Sequence, residues 1–267
     1  MKKLSVIAIT LFMSLSAFAK SDFKEKTVFK NNDIEIRQLD EHTWHGNGHL
    51  VYNESVYLVE GDTAAILIDA GTQIPGLRKI VEDIVKKPVT LVLTHGHGDH
   101  AGIAINEWET IWVAASDTSL LSDNASCKLQ FLKNGQIFDL GNRKIEVIFT
   151  PGHTSGSVTF IDRDKHYGFS GDAFGSGNLL VFTDLSTEIN GCENMLPVIE
   201  KYDLKYFYPG HYWGNNLETP KRVKDIVTIC KGILDGSLKP KKGSNMQYVV
   251  KKYGVKVNFN NENENKR

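Results

Sequence analysis

In the stretch Leu91-Val92-Leu93-Thr94-His95-Gly96-His97-Gly98-Asp99-His100, four side chains within six residues can bind a divalent cation: His95, His97, Asp99 and His100. The apolar lead-in reads as a strand, so His95 and His97, two apart, face the same side. Gly96 and Gly98 permit the sharp backbone that brings the four together. Imidazoles and a carboxylate at this density leave buried polar groups unpaired unless something satisfies them, and a divalent cation does.

Three later residues repeat the arrangement of strand, small turn residues, then a ligand type. Val147-Ile148-Phe149-Thr150-Pro151-Gly152 leads to His153, Gly168-Phe169-Ser170-Gly171 to Asp172, and Tyr206-Phe207-Tyr208-Pro209-Gly210 to His211. Any one alone would be weak evidence, since a histidine after a strand is usually a surface or satisfied residue. Together they make seven candidate ligands on one rim. The set is imidazole and carboxylate without thiolate, which suits zinc first and leaves iron or manganese open.

The elements that must position these residues are mostly strands. Ile34–Leu39, Ser55–Glu60 and Thr63–Asp69 read as strands, the last a continuous apolar run buried on both faces, with a Gly61-Asp62 hairpin before it. From Gly76 to Lys87 the residues Leu77, Ile80, Val81 and Ile84 recur at helical spacing, and Val89–Leu93 is again a buried strand. Further strands are read at Thr110–Ala114, Gln130–Phe138, Lys144–Phe149, Ser157–Ile161, Tyr167–Ser170 and Lys205–Tyr208. Helices are read at Leu185–Tyr202 and Pro220–Leu234, with Pro220 suited to a first helical turn. No internal repeat or linker divides the chain, so one domain of mixed α and β structure is expected over 20–257, followed by a polar tail over 258–267.

Composition bounds the function. With 267 residues and 41% hydrophobic content the chain can build a sizeable core. A net charge of -1 lacks the basic footprint of a nucleic-acid binder, and the short run Lys239, Lys241, Lys242 reads as a solvated loop. Residues 1–19 read as a cleavable signal peptide: Lys2 and Lys3, an uncharged stretch, then Ala17-Phe18-Ala19, with Lys20 the first mature residue. That stretch is too short to span a bilayer, so a periplasmic or secreted protein without stable membrane insertion is expected. Cys127, Cys192 and Cys230 allow at most one disulfide, and the sequence does not choose its partners.

From Ile66-Leu67-Ile68-Asp69-Ala70-Gly71, through the motif at 94–100, Thr150-Pro151-Gly152-His153-Thr154-Ser155-Gly156-Ser157 and Ser170-Gly171-Asp172-Ala173, to Pro209-Gly210-His211-Tyr212, the chain resembles the metallo-β-lactamase-fold hydrolases. The resemblance implies a four-layer αββα sandwich with metals at one edge between two sheets. It implies that His95, His97 and His153 hold a first metal, that Asp99, His100 and His211 hold a second, and that Asp172 bridges them. It assigns Asp69 to orienting a ligand histidine and Asp99 to orienting a metal-bridging hydroxide and accepting its proton.

His42, His45 and His49, with Trp44, lie in a glycine-containing segment whose ordinary reading is a solvent-exposed hairpin. The resemblance offers a second reading, a flap beside the active site in which Trp44 and Leu50 contact substrate. His166 reads as a surface residue on a turn.

An aspartate at 172, with no cysteine between Cys127 and Cys192, looks more like the glyoxalase II, lactonase and esterase branches than the cysteine-using β-lactamases. The expectation is therefore an exported hydrolase with two metal ions, acting on a small-molecule ester, thioester or lactone. β-Lactam hydrolysis is the runner-up. An iron persulfide dioxygenase-like oxidoreductase and a non-catalytic metal-binding protein stand further off, because all seven ligands are present.

Overall fold

The computed structural model describes residues 25–260. The signal-peptide reading lies outside them, as do residues 261–267 of the expected tail.

An eight-stranded sheet runs in chain order through β1 (Lys26–Lys30), β2 (Ile34–Asp40), β3 (Thr43–Gly48), β4 (Ser55–Glu60), β5 (Ala65–Ile68), β6 (Val89–Val92), β7 (Thr110–Val113) and β8 (Lys128–Phe131). The first five pair antiparallel, and β6 to β8 join in parallel. A second sheet has β9 (Ile137–Asp139), β10 (Lys144–Phe149), β11 (Val158–Asp162), β12 (Tyr167–Gly171) and β14 (Tyr206–Pro209) in the order β14-β12-β11-β10-β9.

Alternation along each strand sorts the core into layers. On β5, Ala65 and Leu67 pack with Leu77, Val81 and Val85 of helix α1 (Leu77–Val85), whereas Ile66 and Ile68 face the second sheet. In the second sheet, Ile145, Val147, Val158, Phe160 and Phe169 point back at the first, and Ile148, Ile161 and Phe207 turn outward. Those outward residues lie under α2 (Leu185–Tyr202) and α3 (Pro220–Leu234). The order helix, sheet, sheet, helices is the expected αββα sandwich. Arg143, buried, pins its two sheets together, with Nε on Asp162 at 2.6 Å and its other nitrogens on Thr43 Oγ1, Tyr167 OH and the His42 carbonyl.

The expected bounds of α2 and α3 match the structure to the residue, and each helix has a capping side chain at its start. Asp184 accepts from Thr187 N at 2.8 Å, and Thr219 accepts from Arg222 N at 3.3 Å ahead of Pro220.

Three expectations are corrected, and one sheet was not foreseen. The run Gln130–Phe138 is not one strand: a turn at Lys133–Gln136, with Gly135 at φ 77°, hands the chain from β8 in the first sheet to β9 in the second. The segment around Trp44 is not an exposed hairpin but the interior strand β3, with Thr43, Trp44 and His45 buried. Its glycines misled because they serve close packing: a Cβ on Gly46 would lie 2.6 Å from Val56 Cγ2 and 2.7 Å from Ile34 Cδ1.

A third sheet was also missed: β13 (Leu179–Val181) pairs parallel with β17 (Val255–Phe259), followed by β16 (Tyr248–Lys252) and β15 (Lys241–Lys242). Within it Asn258 and Phe259, read as the start of a polar tail, are buried parts of β17.

Candidate metal centre

All seven candidate ligands converge at one end of the sandwich. β6 delivers His95, His97, Asp99 and His100, the β10–β11 turn delivers His153, the end of β12 delivers Asp172 and the end of β14 delivers His211. Three groups of potential ligand atoms lie within 4.8 Å of one another: His95, His97 and His153; His95, His100 and Asp172; Asp99, His100 and His211.

Asp172 sits between the outer two groups. Its Oδ2 is 3.7 Å from His153 Nε2 and 3.4 Å from His211 Nε2, and its Oδ1 is 3.9 Å from His100 Nε2. Asp99 Oδ2 lies 3.6 Å from His211 Nε2 and 3.8 Å from His100 Nε2. His97 Nδ1 and His153 Nε2 approach to 3.0 Å.

The residues fit divalent-cation binding. His95 Nε2, His100 Nε2 and Asp172 Oδ1 are buried without any hydrogen-bond partner. Such orphans cost free energy in an apolar interior unless an ion takes them up. The opposite ring nitrogens are already engaged. His100 Nδ1 meets Asp69 Oδ2 at 2.9 Å, His153 Nδ1 donates to the Leu180 carbonyl at 2.7 Å, and His95 Nδ1 lies 3.1 Å from Thr94 Oγ1. Each ring is thereby turned to offer its other nitrogen to the site.

Protonation follows the same division. Burial, reinforced by His100 and His153, pushes the His95 pKa well below the usual histidine range, and burial brings His153 down to about 4. Both rings are therefore neutral donors. Burial also disfavours charge on Asp172, but His211, His100 and His153 beside it outweigh that and hold its carboxyl well below the usual range.

Asp69 does more than face a histidine. Its Oδ1 accepts from Thr94 N and its Oδ2 from Thr94 Oγ1, both at 2.7 Å, so one buried carboxylate fixes the end of β6 and the His100 ring together. Asp69 itself has φ 64°, directly after β5.

A comparable device escaped the sequence reading. Asp117, fully buried, accepts from Gly96 N at 2.9 Å and Thr154 Oγ1 at 2.7 Å on one oxygen, and from Gly156 N at 2.6 Å on the other. It clamps the His95–His97 loop to the His153 loop. The signal was present: Val113-Ala114-Ala115-Ser116-Asp117 is another strand followed by small residues and an acid. Glu218, also buried, accepts from Ser170 Oγ at 2.7 Å and Ser176 N at 2.8 Å, while His211 N donates to Ser176 Oγ at 3.2 Å.

Neither residue of the expected flap lines the cavity beside the ligands. Trp44 is packed under the first sheet with α1, and Leu50 is exposed in the β3–β4 loop. The residues of that loop and its surroundings that do reach the cavity are Tyr52 and Trp213, with Trp213 Nε1 donating to the Tyr52 carbonyl at 3.1 Å. Phe182 sits edge-on to both His97 and His153. His166 is exposed on its turn, and among the described residues no disulfide joins the three cysteines.

Residues 49–115 and 128–219 match the family model described as the metallo-beta-lactamase superfamily, which ends before α3 and the C-terminal strands β15 to β17. The human acyl-coenzyme A thioesterase MBLAC2 is 26% identical over 202 residues, covering 59% of this chain and 72% of that protein. The hydroxyacylglutathione hydrolase GloC of Haemophilus influenzae is 28% identical over 134 residues, 43% of this chain and 63% of that protein. Among solved structures, a metallo-beta-lactamase from Pontibacter korlensis superposes with a TM-score of 0.60 at 18% identity, covering 74% of this chain and 99% of its own, a likeness of fold alone.

Proposed function

The chain belongs to the metallo-β-lactamase superfamily and is a metal-dependent hydrolase, and from that footing we propose that it holds two divalent ions, zinc first among them, and hydrolyses an ester, thioester or lactone. The observation that carries the two-ion reading is Asp172, whose carboxylate lies within 4 Å of histidines from both outer groups. His95, His97 and His153 would hold one ion and Asp99, His100 and His211 the other, with Asp172 within reach of both groups. Two such ions, when bound, make water nucleophilic at neutral pH and polarise the carbonyl oxygen under attack.

The protein's own share is positioning and proton handling. Asp69 and the Leu180 carbonyl keep the His100 and His153 rings in fixed orientation, and Asp117 holds the backbone between His95 and His97 at Gly96 N. Asp99 is the more accessible of the two carboxylates, at 20% against 16% for Asp172. Its Oδ2 is placed to accept the proton of the attacking water and to hold it for the leaving oxygen or sulfur. No serine or cysteine nucleophile is required. The relatives named for thioester hydrolysis support this reaction class, as does a ligand set with Asp172 and no cysteine.

The reading includes export: processing after Ala19 would place the enzyme in the periplasm or outside the cell. A panel assay on the purified protein tests the chemistry, with a lactone, a thioester, an aryl ester, a phosphodiester and a chromogenic β-lactam. Turnover of the first three ahead of the last two is the expected result. Preference for the β-lactam would put that substrate first, and one iron per chain with sulfur-oxidising activity would replace hydrolysis altogether.

A further inference from the structure

Beside His153, Asp172 and His211 opens a cavity of about 290 Å³ whose remaining walls are Tyr52, Trp213, Leu180, Asn178, Asn245 and the Gly175-Ser176 turn. At the ~30 Å³ that a water occupies in the liquid, it has room for about ten heavy atoms. Tyr52 is 80% and Trp213 55% exposed, an unusual placement for two large aromatic residues, and both line this one cavity. Among the described residues no lysine or arginine lines this cavity.

One wall comes from the part of the chain outside the family match. Asn258 of β17, fully buried, donates from Nδ2 to Asn178 Oδ1 at 2.8 Å and to the Leu179 carbonyl at 2.9 Å. It thereby fixes the strand that presents Leu180, and the β15–β16 loop adds Asn245. On the other side of Trp213 lies a second, more polar hollow lined by Arg37, Glu35, His45, Asn47 and Asn53.

Resting on the hydrolase reading above, we propose that this cavity is an acyl chamber selecting uncharged, apolar acyl groups, with the C-terminal sheet as one wall. The reaction puts the carbonyl carbon at the ligand cluster, so one side of the scissile bond must lie in the chamber. The leaving alcohol or thiol, which takes up its proton from Asp99, departs to the polar side beyond Trp213 and bulk solvent. The acyl chain takes the side of Leu180, Tyr52 and Trp213. A carboxylate at the far end of that chain would lose its water without gaining a cation, and is disfavoured there.

The test uses the metal-loaded full chain and three series of thioesters: straight acyl chains of two to fourteen carbons on one thiol, the same chains ending in a carboxylate, and acetyl thioesters with the alkyl length moved to the thiol. Expected is a rise in kcat/KM of up to about fourfold per methylene in the first series, the value for full burial of a CH₂ group, levelling near ten carbons. The carboxylate series should fall at least tenfold below it at equal length, and the third series should be flat. Leu180→Ala should flatten the slope of the first series, and Asn245→Lys should raise the carboxylate-to-neutral ratio.

Binding is read independently of turnover, by quenching of Trp213 fluorescence with non-hydrolysable alkyl thioether analogues, the signal being identified by its loss in Trp213→Phe. Equal rates for neutral and carboxylate chains, or a slope that appears on the thiol side instead, overturns the acyl chamber and leaves the hydrolase reading standing. Length-dependent binding without hydrolysis of any series overturns the hydrolase reading and leaves the apolar chamber.

Discussion

Replacing Asp117 by asparagine should loosen the metal centre without touching a ligand. The carboxylate receives three donors: Gly96 N and Thr154 Oγ1 on one oxygen, Gly156 N on the other. An asparagine at this site can put its oxygen toward the first two, but its NH₂ then faces the Gly156 N–H, donor against donor. One charge-assisted bond is lost, about 1.5–3 kcal/mol, and the other two weaken because the acceptor is no longer ionised. A total of about 2–3 kcal/mol lowers Tm by roughly 4–12 °C in a domain of this size.

The two loops held by Asp117 carry His95, His97 and His153, so that group should also lose metal affinity, by about 10- to 100-fold. The group with Asp99, His100 and His211 should lose less. Thermal unfolding in chelator measures the first effect, and competition titration with a metal indicator the second. Thr154→Val, which removes one donor of the three, should give a smaller shift in the same direction. An Asp117→Asn protein with unchanged Tm and unchanged affinity at both groups would refute the clamp, and a loss confined to the His211 group would place it elsewhere.

Elemental analysis should find two ions per chain, with His95→Ala weakening the first site, His211→Ala the second, and Asp172→Ala the second more than the first; saturation at one ion would remove the two-ion reading. Burial raises the Glu188 carboxyl to about 8 against an ordinary 4.5, so the folded state binds a proton that the unfolded state has released. The resulting stability is fully present below about pH 4.5 and is lost as pH rises through 8, with a slope of at most about 1.4 kcal/mol per pH unit. Unfolding of the metal-free protein between pH 5 and 8 should show this decline, and Glu188→Gln should reduce it; parallel curves would show that Glu188 is not protonated in the fold. Mass spectrometry of the exported product should show Lys20 as its first residue, and a product retaining residues 1–19 would remove the export reading.

The candidate ligands were legible in the sequence because each is a local pattern, whereas the order of the layers came from the resemblance. A strand that ends in small residues and a metal-binding side chain can be recognised one segment at a time, and His95, His97, Asp99, His100, His153, Asp172 and His211 all share that form. The alternation on β5, with Ala65 and Leu67 to one face and Ile66 and Ile68 to the other, likewise needs only the period-two geometry of a strand.

What the tertiary structure decided are relations between segments far apart in the chain. Gly46 looked like a turn residue until Val56 and Ile34 were seen to occupy the space of its missing side chain. Asn258 looked like a tail residue until its amide was found on Asn178 and Leu179, 80 and 79 positions away. Trp44 and Leu50 were placed at the cavity by analogy, whereas Tyr52 and Trp213 stand there, joined across 161 positions by one hydrogen bond. Short-range spacing fixes which face a side chain takes within its own element. Which distant backbone comes to meet it depends on the packing of the whole chain, and no window of sequence contains that.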